Sequence, residues 1–215
     1  MPKILVDDRE IEAGEGSTLL QACLNNDIYI PNLCYVEEMK YPSSLCRMCF
    51  VEIEGQEKPV AACVVTVREN MVVKTDTEAV RRLQRSALRL LLSVHRVDCK
   101  NCQANKKCEL QRIAKFLKIG LKPKKLEQYL KEPEIVQEHP CLDYYPNRCV
   151  LCGKCTYVCR KQHDQSVLTF AKRGFATTIS FYGQDDESKL ECEGCTACAD
   201  ICPVGALIMR DRQQP

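Results

Sequence analysis

The sequence predicts an α+β protein made of small modules in series, and three observations carry that reading. Short alternating apolar segments lie near the start and again near the end, two strongly amphipathic helical stretches stand between them, and 17 cysteines fall into regularly spaced groups over 215 residues. A chain of this length fits one large domain or a few small ones, and its 45% apolar content supplies ordinary cores.

The first module opens with a strand at Ile4 to Val6, and Ile11 to Gly14 is expected to lead into a turn. Ser17 and Thr18 are capping residues for a helix in which Leu19, Leu20, Cys23 and Leu24 recur at helical spacing, ended before Ile28 to Pro31. Residues 33–45 carry Pro42, Ser43 and Ser44 without a clean period and are expected to be loop. Phe50 to Ile53 alternates as a strand, Glu54 to Glu57 turns, Val60 to Val67 returns, and Val72 to Lys74 adds a late strand.

Asp76 or Thr77 then opens the clearest helix, Glu78 to Val94. Val80, Leu83, Ala87, Leu90, Leu91 and Val94 form its apolar face, and Arg82, Arg85 and Arg89 form the opposite one. A cysteine loop follows from Cys99 to Cys108, and then a second amphipathic helix through Leu110, Ile113, Ala114 and Leu117, stopped at Gly120. Residues 120–140 are charged and carry Pro123, Pro133 and Pro140, the composition of a connector lying over the surface. From Cys141 to about Arg210 a last module holds two dense cysteine runs, with Leu168 to Phe181 between them as a hairpin about Gly174.

Seventeen cysteines against 3 histidines and no tryptophan leave two classes, a disulfide scaffold or a metal protein. The start turns acidic within a few residues and has no apolar signal region, and no segment approaches the roughly 20 apolar residues that span a bilayer. A cytoplasmic location is therefore expected, where clustered thiols bind metal rather than pair as disulfides.

The spacing decides which metal. Cys149, Cys152, Cys155 and Cys159 read C-x2-C-x2-C-x3-C, and Cys192, Cys195, Cys198 and Cys202 repeat it with Pro203 following. In such a run the fourth cysteine serves the neighbouring cluster. That assigns Cys149, Cys152, Cys155 and Cys202 to one [4Fe-4S] cluster and Cys159, Cys192, Cys195 and Cys198 to another. Zinc motifs instead pair two cysteines and then leave a long spacer. Arg160 stands where the usual pattern has proline after the first run.

Cys34, Cys46, Cys49 and Cys63 form the first constellation, three from a loop and one from a returning strand, which suits a [2Fe-2S] cluster. His95, Cys99, Cys102 and Cys108 form another, read as a [4Fe-4S] cluster with one imidazole ligand. On spacing alone zinc competes at both. Metallated by iron in this way, a chain whose formal charge is +2 would become mildly acidic. That weakens any nucleic-acid reading drawn from its basic residues.

The last two runs resemble the bacterial two-cluster ferredoxin. The four constellations in this order, with H-x3-C-x2-C-x5-C from His95 to Cys108, resemble the N-terminal part of the large iron–sulfur subunit of respiratory complex I. They are equally similar to the electron-transfer subunit of cytoplasmic NAD-reducing [NiFe] hydrogenases, and to the front of some iron-only hydrogenases and NAD-linked formate dehydrogenases. The resemblance covers Ile4 to about Ile208.

It implies a β-grasp [2Fe-2S] ferredoxin-like domain over 1–76, a histidine-ligated [4Fe-4S] module over 77–120, a connector over 121–140 and a two-[4Fe-4S] ferredoxin-like domain over 141–215. It further implies an electron relay between a flavin- and NADH-binding subunit and a hydrogenase subunit, in a hetero-oligomer. Formate dehydrogenase, another NAD-linked bifurcating complex, a complex I-like assembly and a non-redox metal scaffold are the alternatives. No G-x-G-x-x-G or G-x-x-x-x-G-K-[ST] is present, so flavin and nicotinamide are expected on a partner, and no catalytic residue is expected here.

Cys23 and Cys141 remain outside the four sets and are expected as buried thiols. His139 and His163 lack metal-like spacing and are expected at the surface. Arg81, Arg82, Arg85 and Arg89, with Lys106, Lys107, Arg112, Lys115 and Lys118, make a basic face, either solvated or docking an acidic partner subunit.

Overall fold

A computed structural model describes residues 1–122, 126–163, 167–181, 192 and 194–210, and the chain divides into two units, 1–90 with 113–119 and 91–112 with 120–215. Pro123, one of the prolines expected to mark the connector, lies outside the described residues. The architecture is mixed α+β, of ferredoxin-like character, with several small helix and sheet modules.

In the first unit β1 (Lys3–Val6) and β2 (Arg9–Glu12) form a hairpin, closed by Asp7 and Asp8, both at positive φ (48° and 68°). Two successive left-handed residues make the turn whose twist matches antiparallel strands. Ile11 to Gly14 was expected to lead into a turn, but Ile11 and Glu12 complete the strand Arg9–Glu12. It is a strand because Ile11 pairs across from Ile4 and joins it in the core.

β5 (Val72–Lys74) lies parallel to β1, and β3 (Phe50–Ile53) lies antiparallel to β5 and to β4 (Val60–Ala61), giving the order β2-β1-β5-β3-β4. The expected strand from Val60 to Val67 ends at Ala61, where the chain turns into a single 3-10 turn, Ala62–Val64, with Cys63 buried in it. Helix α1 (Leu19–Asn25) is capped by Thr18, whose hydroxyl accepts from Gln21 N at 3.2 Å, while Ser17 instead donates to the Gly14 carbonyl at 2.7 Å. Leu19, Leu20 and Cys23 pack with Ile4, Val6, Val51, Ile53 and Val73 into the core of this unit.

Helix α2 (Glu78–Ser93) is capped by Thr77, which accepts from Val80 N at 3.2 Å. Its buried stripe is Val80, Gln84, Leu88 and Leu92, every fourth residue, and Leu90 is 68% exposed. The apolar face read from the sequence is therefore rotated. Gln84 belongs to the inner face because its amide donates to the Phe50 carbonyl at 3.2 Å.

Helix α3 (Glu109–Phe116) buries Leu110, Ile113, Ala114 and Leu117 as expected, but it stops before Gly120. Lys118 takes the left-handed conformation (φ 55°), and Ile119 N bonds to the Ala114 carbonyl at 3.0 Å. Two arginines of the expected basic face finish this end: Arg81 donates to the Phe116 carbonyl and Arg85 to the Leu117 carbonyl, each at 3.2 Å. Arg81 also lies over the Phe116 ring, 4.2 Å from its centroid, and pairs with Asp76.

In the second unit β6 (Leu142–Tyr144) pairs antiparallel with β9 (Leu207–Met209), and β7 (Leu168–Ala171) with β8 (Thr178–Phe181), the expected hairpin, turned at Gly174–Ala176. Helices α4 (Lys154–His163) and α5 (Ala197–Asp200) pack together. The segment before β6 is mostly exposed but tethered: Tyr129 N bonds to the Ser93 carbonyl, Val136 exchanges two backbone bonds with Tyr144, and Asn147 bonds both backbone groups of Lys131. Among the described residues, no helix is long and apolar enough to cross a membrane.

Candidate metal centres

In the first unit Cys34, Cys46, Cys49 and Cys63 are all buried between the 33–49 loop and the 3-10 turn after β4. The Cys34 and Cys46 sulfurs are 3.4 Å apart, and the Cys49 and Cys63 thiols are near enough to shift each other's acidity. Within each pair the neighbouring thiol holds one member down, Cys34 at about 5 and Cys63 at about 7, and drives the other, Cys46 and Cys49, up. Leu33 N–H donates to the Cys46 sulfur at 3.4 Å. Two adjacent thiol pairs stripped of water, each with one thiol more acidic than usual, form a donor set that favours a soft, positively charged guest.

In the second unit one cavity is walled by His95, Cys99, Cys102 and Cys108 together with Arg148 and Val204. His95 is 8% exposed, and burial depresses its imidazole to about 4, so the ring is neutral at physiological pH. It lines the same cavity as Arg148, and its Nδ1 is buried without any hydrogen-bond partner. A neutral imidazole with an orphaned nitrogen facing three cysteines has the form of a candidate metal ligand.

Cys149, Cys152, Cys155 and Cys202 wall a second cavity with Tyr144, Ile179 and Val204. Leu151 and Gly153 take positive φ (52° and 75°), which coils the C-x2-C segment back on itself. Backbone N–H groups then reach sulfur, Leu151 to Cys149 at 3.4 Å and Ala206 to Cys202 at 3.2 Å. Burial drives the Cys149 and Cys155 thiols up and takes Cys152 to about 12. Thiols this desolvated ionise only with a cation beside them.

Cys159, Cys192, Cys195 and Cys198 wall a third cavity with His139, Cys141 and His163. Cys155 and Cys159 lie one turn apart on α4 and face different cavities, as Cys198 and Cys202 do around α5. Each cavity is thus lined by three cysteines of one run and the fourth of the other.

Two histidines depart from expectation. His139 is 6% exposed, its Nδ1 accepts from Cys141 N at 3.1 Å and its ring lies 5.1 Å from that of Phe181. His163 is half-buried with Nε2 3.4 Å from the Cys195 sulfur. Its place four residues after Cys159, on the same helical face, was the available signal. Cys23 is fully buried in the first core and Cys141 is buried as expected. Among the described residues, no three His, Cys, Asp or Glu side chains are grouped so as to hold a single metal ion.

The cavity at His95 and the cavity at Cys149 have one lining residue in common. Val204, 1% exposed, lines both; Cys102 Sγ lies 3.9 Å from the Val204 carbonyl, and Glu109 N bonds to the Pro203 carbonyl at 3.0 Å. Gly205, at φ +63°, passes so close that a Cβ there would sit 2.8 Å from the Ala104 Cβ.

Three protein families match successive spans: a 2Fe-2S iron-sulfur cluster binding domain over 2–78, the NADH-ubiquinone oxidoreductase-G iron-sulfur binding region over 84–121, and the ferredoxin-like domain of NADH-quinone oxidoreductase subunit 3 over 139–208. These spans define the chain as an iron–sulfur electron-transfer module. The subunit alpha of the NADPH-Fe(3+) oxidoreductase of Geobacter sulfurreducens is 32% identical over 210 residues, covering 98% of this chain and 24% of that protein. Subunit HndD of the NADP-reducing hydrogenase of Solidesulfovibrio fructosivorans is 32% identical over 217 residues, covering 97% of this chain and 36% of that protein. The chain thus spans a quarter to about a third of the length of these curated relatives.

A chain in the crystal structure of an NAD+-reducing [NiFe]-hydrogenase in the H2-reduced state superposes with a TM-score of 0.82 at 28% identity, covering 100% of this chain and 90% of that one. The module is homologous to the iron–sulfur subunits of NAD-reducing [NiFe] hydrogenase and of the NADH-quinone oxidoreductase type.

Proposed function

We propose that this chain relays single electrons between a flavin- and NAD(H)-binding subunit and a hydrogenase catalytic subunit, as the non-catalytic electron carrier of a cytoplasmic, hetero-oligomeric hydrogen dehydrogenase. It holds one [2Fe-2S] cluster at Cys34, Cys46, Cys49 and Cys63. Three [4Fe-4S] clusters lie at His95, Cys99, Cys102 and Cys108; at Cys149, Cys152, Cys155 and Cys202; and at Cys159, Cys192, Cys195 and Cys198. The modules run 1–76, 77–120 and 141–215, with 121–140 as connector. When bound, each cluster accepts and returns one electron.

The observation that carries this reading is the sharing of Val204 between two thiol-lined cavities, because a relay needs its carriers close, and one aliphatic residue is a short separation. The remaining steps belong to the chain's own groups. Cys34 with Cys46, and Cys49 with Cys63, present paired sulfurs to the two ends of a two-iron unit. His95 would offer its orphaned Nδ1 from a ring buried beside Arg148. The Leu151 and Ala206 N–H groups offset thiolate charge at Cys149 and Cys202. Burial keeps water from Cys34, Cys46, Cys49 and Cys63 and from Cys149, Cys152, Cys155 and Cys159, whereas Cys99, Cys102, Cys108, Cys195 and Cys202 are half-buried.

The full-length similarity to a hydrogenase chain favours a hydrogenase partner over a formate dehydrogenase one. Anaerobically purified protein should carry about 14 iron atoms, from one two-iron and three four-iron clusters, and little zinc. About four zinc atoms instead would end the relay reading. Co-purifying subunits that contain nickel support the hydrogenase assignment, and molybdenum or tungsten there overturns it.

A further inference from the structure

His163 lies against a candidate cluster sulfur but belongs to none of the four ligand sets. It lines the cavity walled by Cys159, Cys192, Cys195 and Cys198, and its Nε2 is 3.4 Å from the Cys195 Sγ. The ring is the last residue of α4, and Cys159 stands four residues earlier, one turn back on the same face. One helix therefore carries both a sulfur of this cavity and a ring that reaches across it to the other cysteine run.

The sulfur it meets is held just as firmly. Cys195 stands two residues before α5, in a turn closed by its own N–H on the Cys192 carbonyl at 3.3 Å, and α5 packs on α4. A thiolate bonded to iron has lone pairs and no proton, so the contact is attractive only when Nε2 carries the hydrogen and donates it. A neutral imidazole does this with one ring nitrogen protonated, so no change of charge on the ring is required. His139 lines the same cavity, but its Nδ1 is taken up by the Cys141 N–H.

We propose that His163 is a positioning residue whose Nε2–H donates a hydrogen bond to the Cys195 sulfur and raises the reduction potential of the cluster held by Cys159, Cys192, Cys195 and Cys198. This rests on the assignment of that cluster made above. An added electron increases the negative charge on the cluster and its thiolates, so a fixed donor stabilises the reduced form more than the oxidised one. One electron arrives, no covalent bond is made or broken, and the ring keeps its hydrogen.

His163 and Cys195 are both half-buried. Water can reach this sulfur once the ring is removed, which sets the effect near that of a single hydrogen bond. At the Cys149 cavity the sulfurs receive backbone N–H groups, Leu151 to Cys149 and Ala206 to Cys202, which belong to the cysteine turns themselves. At Cys195 the donor is a side chain on a different element, so a substitution removes it without altering the turn that holds the sulfur.

The test is a potentiometric titration of the full, cluster-loaded chain, read by electron paramagnetic resonance. His163→Phe keeps a flat ring but no N–H, and should move one [4Fe-4S] midpoint to more negative values by on the order of tenfold in its reduction equilibrium, or about 59 mV for one electron. The other clusters should hold their midpoints. His163→Gln returns a neutral N–H donor and should recover most of the shift. In the parent protein carrying isotopically labelled histidine, the same signal should show a nitrogen coupling far weaker than that expected of His95 on its own cluster, and His163→Phe should abolish it. An unmoved midpoint in His163→Phe at full iron content, a shift in His163→Gln as large as in His163→Phe, or a parent signal without that weak coupling would overturn the role of His163. A parent protein with no [4Fe-4S] signal would instead overturn the cluster assignment beneath it.

Discussion

Replacing Gly205 by alanine should destabilise the second unit more than the same change at Gly174. Two costs add. The residue sits at φ +63°, where a side chain on an L-residue costs about 1 kcal/mol. The new Cβ would also stand 2.8 Å from the Ala104 Cβ and 3.4 Å from its amide nitrogen. Neither neighbour is the tip of a flexible side chain, so the Cys99 to Cys108 loop must move, and overpacking of this kind costs about 1–3 kcal/mol.

Gly174→Ala is the internal control: its φ is +59°, but nothing lies within 4 Å of the position its new methyl group would take, so only the backbone cost applies. Anaerobic urea denaturation, followed by circular dichroism and by the visible absorption of the clusters, should place Gly205→Ala below Gly174→Ala by about 1–3 kcal/mol. The histidine-site signal should be lost first, because Ala104 lies between Cys102 and Cys108. Equal midpoints for the two variants would refute the close approach of Gly205 to that loop, and with it the sharing of Val204.

Other substitutions test other links. Leu88→Ala should cost about 2–5 kcal/mol, whereas Leu90→Ala, at a position 68% exposed, should fall within about 0.5 kcal/mol of the parent; comparable losses would restore the face read from the sequence. Arg81→Met should lower stability by about 1–2 kcal/mol, since it removes a helix-end hydrogen bond and a cation resting on Phe116, and a neutral result in thermal melts would dismiss that contact. Burial, with a smaller contribution from Asp7, pushes the Cys23 thiol up to about 12. Because the native state holds this proton more tightly than the unfolded chain, whose thiol titrates at about 8.5, the stabilisation is complete below that pH and declines toward 12. Cys23 should therefore resist alkylation at a pH of about 8.5 until the protein unfolds, and Cys23→Ala should flatten the decline; rapid labelling of native protein would contradict the burial.

What could be read from the sequence was local. Cysteines two or three residues apart have little freedom, so each run could be read as a unit that gathers its sulfurs, and a hydroxyl before an apolar period marked two helix starts, where Thr18 rather than Ser17 and Thr77 rather than Asp76 are the caps. The errors came from long-range partners. Arg9 to Glu12 shows a single apolar residue, so only its pairing with β1 makes it a strand. In α2 the leucine-rich stretch from 88 to 92 offers several possible stripes, and the choice is made by Gln84 reaching Phe50, 34 residues away. His139 is buried through Cys141 and Phe181, and Tyr144 is positioned by residues 34 and 35 places later. None of these partnerships leaves a periodic trace.

The valine common to two chambers also constrains how the molecule can change. Trimming it would enlarge both pockets together and admit solvent to each, while a bulkier residue would press on Cys102 from one side and on the Cys202 turn from the other. Neither centre can be retuned through that wall in isolation, so an engineer or a lineage altering one must accept, or compensate, a matching disturbance in its neighbour.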